Sequence, residues 1–479
     1  MSDQDGTERG GFVKALTLTD ATMLVAGSMV GSGIFIVSAD IARTVGSPYM
    51  LLMAWLVTGL MTMLGALAYG ELAAMYPKAG GQYVFLREAL GPLIGFLYGW
   101  TLFLIIQTGT IAAVAVAFGR FLGVLVPSIG PERFSWFPSA DLTLAGSTVE
   151  LGLSPQRLVA LISIWVLTWI NLRGVKEGKF VQTTLTVIKT TMLAALVILG
   201  VTIGRNADAL AANFGAGQFM GTTSFMSILT LGFGTALVGS LFSSDAWNNV
   251  TFAAAEVKNP AKNLPLALVL GTGLITLLYI TANIAYLNAL PFEAIKTAAQ
   301  DRVGTAMMQG IFGPVGGTIM AVGILLSAFG CNNGLILSGA RVYWAMAKDG
   351  LFFQRVGTLS DRGVPAWGLL AQSIWTSILC LTGTYGQLLD YVIFAALVFY
   401  ALTTIGLFIL RAKRPEAPRP YRAVGYPYLP ALYIALSSGV AVVLLIADKT
   451  RAQALAGLAI VLLGIPVYLF WRRSAPSQG

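Results

Sequence analysis

Two short polar interruptions in otherwise apolar runs hold the residues best suited to chemistry. The first is Gly27-Ser28-Met29-Val30-Gly31-Ser32-Gly33-Ile34-Phe35; the second is Gly239-Ser240-Leu241-Phe242-Ser243-Ser244-Asp245-Ala246-Trp247-Asn248-Asn249. Each glycine of the first run weakens a helix by about 1 kcal/mol relative to alanine and tolerates positive φ. The second run buries serine, aspartate and asparagine where an unpaired polar group is costly. Unwound backbone frees N–H groups and the start of the next half-helix for an anion, and carbonyls for a cation. A pocket with both suits a zwitterion, which points to an amino acid. Gly-Ser-Gly alone reads equally well as a close helix-packing patch; matching interruptions in two places favour unwound segments.

The elements that must position these runs follow from composition. The chain has 479 residues, 56% hydrophobic and 11% charged, with a mean hydropathy of +0.77. A soluble domain carries about 25% charge, so the reading is an all-α polytopic membrane protein. Apolar runs long enough to span a bilayer lie near 18–44, 48–75, 91–126, 157–172, 180–204, 223–255, 264–290, 313–347, 366–383, 387–411, 427–447 and 453–471. They are too long and too uniformly apolar for a β-barrel. The third and eighth exceed the bilayer thickness and are expected to tilt or extend beyond it. The first and sixth spans, and the ends of the fifth and tenth, are offset by about 206 residues. Five spans is an odd number, so the second copy runs inverted, a transporter pattern with substrate at the interface of the halves. The expected organisation is a tail 1–17, a first repeat 18–204, a second repeat 223–411, two extra helices within 427–471 and a tail 472–479.

Basic residues set the orientation. Lys78, Arg87, Arg173, Lys176, Lys179, Lys258, Lys262, Lys348, Arg411, Lys413 and Arg414 fall on one side; Arg133, Arg157, Arg205, Lys296, Arg302, Lys449 and Arg451 fall on the other. The richer side holds both termini, which places them in the cytoplasm of a cell with the chain in its plasma membrane. The formal charge of +9 therefore follows topology and implies no nucleic acid. Residues 127–156 form the longest outer segment and read as a connector. The chain has no histidine, which removes His-based acid–base catalysis, Ser/Cys–His triads and His-ligated metals. No phosphate-cradling Gly-x-x-x-x-Gly-Lys-Ser/Thr motif occurs. No catalytic residue, metal or cofactor is expected, and an enzyme or a channel fits poorly.

At this point the residues resemble a known family. Val30-Gly31-Ser32-Gly33-Ile34-Phe35 is similar to the broken first helix of the amino acid–polyamine–organocation superfamily, whose LeuT-like fold is a five-plus-five inverted repeat. Asp245-Ala246-Trp247-Asn248-Asn249 and Glu256-Val257-Lys258-Asn259-Pro260 resemble the sixth helix and following loop of its L-amino-acid transporter branch. Ser338-Gly339-Ala340-Arg341, Ala345-Met346-Ala347-Lys348-Asp349-Gly350 and Arg411-Ala412-Lys413-Arg414-Pro415 match similar stretches. The resemblance implies a sodium-independent exchanger, with a proton-coupled symporter as the alternative. It implies that the amides of Ser32 and Gly33, shaped by Gly31, hold the substrate carboxylate. Carbonyls of Met29, Phe242 and Asp245 would hold the ammonium, Ser243 lies beside them, and Phe242 acts as the outer lid. Where the branch often has glycine, Ala246 adds a methyl, which favours small or medium neutral substrates.

Lys189, inside the fifth span, matches a lysine whose ammonium takes the cation position of sodium-coupled relatives, between the first and eighth helices. Ser327 and Cys331 are the expected neighbours, with Cys331 standing where a hydroxyl is common. Animal members often carry a second subunit through a cysteine in the outer loop after the third helix. Residues 127–156 contain no cysteine, so no disulfide-linked ancillary subunit is expected. Asp245 reads either as a cap accepting N–H bonds from Trp247 or Asn248 or as a cavity-facing acid. Asp20 reads as a helix cap, Glu71 and Glu256 as exposed at helix ends, and Asp390 as a cap of the tenth span.

Overall fold

The computed structural model describes residues 12–129, 140–144, 147–215, 232–382 and 385–474. Among these, nine helices are long and apolar enough to cross a membrane, and Phe233–Ser243 and Ala366–Leu381 are shorter apolar helices. With the interrupted first span (Leu18–Met29, then Val37–Val45) they account for every expected span. The fold is thus the all-α polytopic one. Leu277, Ile198, Val315 and Phe470 are exposed on its outer faces, as suits side chains whose solvent is lipid.

Several boundaries shift for local reasons. The fifth helix starts at Val175, because Gly174 at φ 152 turns the chain directly from the end of the fourth at Arg173. The eighth helix runs Val303–Lys348 and breaks at non-helical Gly313, ahead of Pro314. The third, Pro92–Leu125, contains a π-turn at Leu102–Ile106. In the outer segment, Ala140–Leu144 pairs antiparallel with Ser147–Leu151: part of the expected connector is a hairpin. Residues 223–231 of the expected sixth span lie outside the described residues, as does the side chain of Asp390.

The first helix is enclosed by the fifth, seventh and eighth, while the second packs along the seventh. Its start is a capping box in which Thr17 is the N-cap. Asp20, the expected cap, instead closes the box by accepting the Thr17 N–H at 2.9 Å.

Glu71 and Glu256 depart furthest from expectation, since both are fully buried. Glu71 accepts from Arg411 on the tenth helix (Tyr385–Lys413) at 2.9 Å and from the Ala423 N–H at 2.7 Å, and forms an ion pair with Arg419 at 3.3 Å. Glu256 pairs with buried Arg341 of the eighth helix at 2.8 Å. The cations arrive from segments distant in sequence, and each neutralises a carboxylate that would otherwise need water. Breaking such a pair costs about 3–5 kcal/mol. Glu71→Ala is therefore expected to lower the thermal unfolding midpoint sharply, read by fluorescence-detected size exclusion after heating; an unchanged midpoint contradicts this.

Candidate substrate site

The first helix ends at Met29. Val30 is extended (φ −77, ψ 96), a short tight turn covers Gly33–Phe35, and the helix resumes at Val37. Among the described residues, the N–H groups of Gly31, Ser32 and Gly33 donate to no backbone acceptor. The buried Ser32 hydroxyl has no partner either. Such donors are costly to bury unpaired. Together they are unmet donors of the polarity that a carboxylate needs.

The second interruption begins where Phe233–Ser243 ends and closes with the short helix Asn249–Phe252. The Phe242 carbonyl accepts the Asp245 N–H at 3.2 Å. Ala246, not a glycine, takes the left-handed conformation, at φ 62. None of Gly27, Gly31 and Gly33 is among the positive-φ glycines. Their small size serves close approach instead. A Cβ on Gly33 would lie 2.2 Å from the Ser243 hydroxyl, and one on Gly27 would lie 2.2 Å from both Gln182 and Thr186 side-chain atoms. The left-handed state costs a non-glycine about 1–2 kcal/mol, against about 0.4–1 kcal/mol of unfolded-state freedom added by glycine. Ala246→Gly is thus expected to raise the thermal midpoint slightly; a fall contradicts this.

The two interruptions therefore touch, Gly33 against Ser243. Tyr279 of the seventh helix (Pro260–Ala289) ties them further, with its hydroxyl 3.0 Å from the Met29 carbonyl and 3.1 Å from the Ser243 carbonyl. It shares the Met29 carbonyl expected to receive an ammonium. Sequence alone did not mark Tyr279, since it is one tyrosine in a long apolar run.

The Asp245 carboxylate takes the Tyr400 hydroxyl of the tenth helix, and among the described residues not the Trp247 or Asn248 N–H groups expected of a cap. Tyr400 is a second residue that sequence reading missed. Two cavities of about 20 and 10 Å³ adjoin Asp245, each with room for about one water. One is walled by Thr62, Trp247 and Tyr433, the other by Gln82, Gln107 and Asn249. No residue of the first interruption lines either. Met29, Ser32, Phe242, Ser243 and Asp245 are all buried, so the chamber between the two interruptions is closed.

Behind the first interruption, Lys189 is fully buried and donates to the carbonyls of Gly27 and, at 2.8 Å, Val30. Ser327 donates to Val30 and Gly31 at 3.2 and 3.0 Å. Cys331 lies 3.0 Å from the Ser28 carbonyl. The expected trio thus assembles on carbonyls that the unwound helix cannot satisfy itself. Its thiol occupies the position in question without losing the contact.

The end carrying both termini is strapped shut. Leu16 pairs with Val257 in a parallel bridge, donating to the Glu256 carbonyl at 2.9 Å and accepting from Lys258 at 2.8 Å. Lys179 binds Asp20 at 2.6 Å and the Ala15 carbonyl at 3.0 Å.

The amino acid permease family model matches residues 16–468. The chain is 33% identical to the serine/threonine exchanger SteT of Bacillus subtilis, over 98% of this chain and 100% of that one. It is 30% identical to the human large neutral amino acids transporter small subunit 2, covering 98% and 84%. It is 28% identical to the mouse b(0,+)-type amino acid transporter 1, covering 85% and 78%. With the broken first and sixth helices meeting at their interruptions, the chain belongs to the amino acid permease family.

Proposed function

We propose that this protein is a sodium-independent exchanger of amino acids, working by alternating access rather than as an enzyme. The observation that carries the reading is the set of N–H groups at Gly31, Ser32 and Gly33 that, among the described residues, meet no backbone acceptor, with Gly33 against Ser243. They suit a substrate carboxylate; Met29, Phe242 and Asp245 supply carbonyls for the ammonium, and Phe242 serves as the lid. Lys189 supports sodium independence, because its ammonium already fills the carbonyl site between the first and eighth helices. The organisation proposed is two inverted repeats, 18–204 and 223–411, with the helices of 427–471 outside them. The basic side of the chain favours cytoplasmic termini and a plasma-membrane location.

The Ala246 methyl favours small or medium substrates, and the names of the serine/threonine and large neutral amino acid relatives favour neutral ones. Competition assays on Asp245→Asn test the acid's part. Loss of arginine and lysine competition with neutral uptake retained supports a cavity-facing acid; loss of all uptake with destabilisation supports a positioning role through Tyr400. One observation favours the proton-coupled alternative: among the described residues, no carboxylate pairs with Lys189. Concentrative uptake into empty vesicles under an inward proton gradient would favour that reading.

The chain is proposed to work without a disulfide-linked second subunit, although one relative is named a small subunit. Its two cysteines, Cys331 and Cys380, are both buried. The purified single chain is expected to transport on its own. Transport only after a second subunit is added would contradict this.

A further inference from the structure

A cavity of about 660 Å³ lies beside the strap, away from the chamber. Lys14, Lys78, Arg87 and Lys348 line it, and Asp349 is the acid among its walls. Asp349 is already committed to Arg87 and accepts the Tyr83 hydroxyl at 2.6 Å. Among the described residues, Lys14, Lys78 and Lys348 make no ion pair. Pro260, the first residue of the seventh helix, adds the positive end of that helix to the same wall.

The three lysines come from three different elements. Lys14 belongs to the strap, Lys78 to the turn after the second helix, and Lys348 to the end of the eighth helix. The strap is anchored beside the cavity as well, for the Phe12 ring meets Trp344 edge-on at 4.8 Å. A monocarboxylate has one charge to share among these lysines. A phosphate group carries nearly two charges and three strong acceptor oxygens, and lysine binds phosphate as a point charge. The cavity also lies within the roughly 300–1,000 Å³ of small-molecule sites.

We propose that this cavity binds a phosphate-bearing anion that cross-links the strap to the neighbouring turn and the eighth helix, and so holds that end shut. A ligand that prefers the strapped state shifts the population toward it and slows the opening that exchange requires. The chemistry is shared by soluble polyphosphates and by phosphorylated lipid headgroups.

The test uses the purified full chain and the variant Lys14→Gln/Lys78→Gln/Lys348→Gln, none of which touches the chamber. Labelled pyrophosphate is expected to bind the wild type, and about tenfold or more weaker to the variant, given the charge removed at short range. Pyrophosphate is also expected to slow wild-type exchange several-fold from one face in phosphatidylcholine vesicles, with sulfate at matched ionic strength controlling for screening. A second arm adds phosphatidylinositol 4-phosphate to the vesicles without pyrophosphate; slowing confined to this arm and lost in the variant identifies a headgroup as the source. Equal pyrophosphate binding by the two proteins overturns the proposal, as does no binding together with no slowing in either arm. Pyrophosphate binding that depends on the lysines in a protein showing no exchange in any vesicle supports the site while contradicting the exchanger reading.

Discussion

Lys189→Ala is expected to reduce amino acid exchange at least a hundredfold while leaving a folded protein. The ammonium binds the Gly27 and Val30 carbonyls inside the bundle. Removing it orphans the Gly27 carbonyl, at about 1–3 kcal/mol, and leaves the Val30 carbonyl only the Ser327 hydroxyl; a hundredfold loss of rate corresponds to about 2.7 kcal/mol. The loss falls on the unwound stretch that continues directly into Gly31, Ser32 and Gly33, the proposed carboxylate site. Lys189→Arg keeps donors at the site and is expected to retain more activity than alanine. Size exclusion separates lost function from lost fold. A monodisperse alanine variant exchanging at the wild-type rate would contradict the role assigned to Lys189.

The second large effect is expected from Gly33→Ala, which should bring exchange to background. The new methyl would sit 2.2 Å from the Ser243 hydroxyl, 2.9 Å from its Cβ and 3.2 Å from its Cα, distances that force one interruption away from the other. Adding Ser243→Gly removes the two closest atoms and leaves the Cα approach, so partial recovery is expected. A folded double variant no better than Gly33→Ala would contradict the contact as the cause.

Much of this was legible in sequence because it rests on local rules. Spans follow from runs of apolar residues, and the interruptions follow from small and polar residues at bilayer depth. The reason for the glycines was not legible, because positive φ and close approach leave the same mark in a sequence. Positive φ fell instead on Ala246, a position that only the backbone path reveals. Tyr279 and Tyr400 escaped notice because an aromatic in an apolar helix carries no sign of where its hydroxyl points. Glu71 and Glu256 were misread as exposed since Arg411, Arg419 and Arg341 lie far along the chain, and burial of an acid depends on a partner that only tertiary packing supplies.

The most direct test of exchange at the two interruptions is uptake of labelled serine by the purified chain in proteoliposomes. The vesicles are either empty or preloaded with unlabelled serine, in sodium-free buffer with equal pH on both sides. The account predicts rapid uptake into preloaded vesicles, little into empty ones, and no gain on adding external sodium. Uptake that needs sodium, or that is the same with and without internal amino acid, would contradict it.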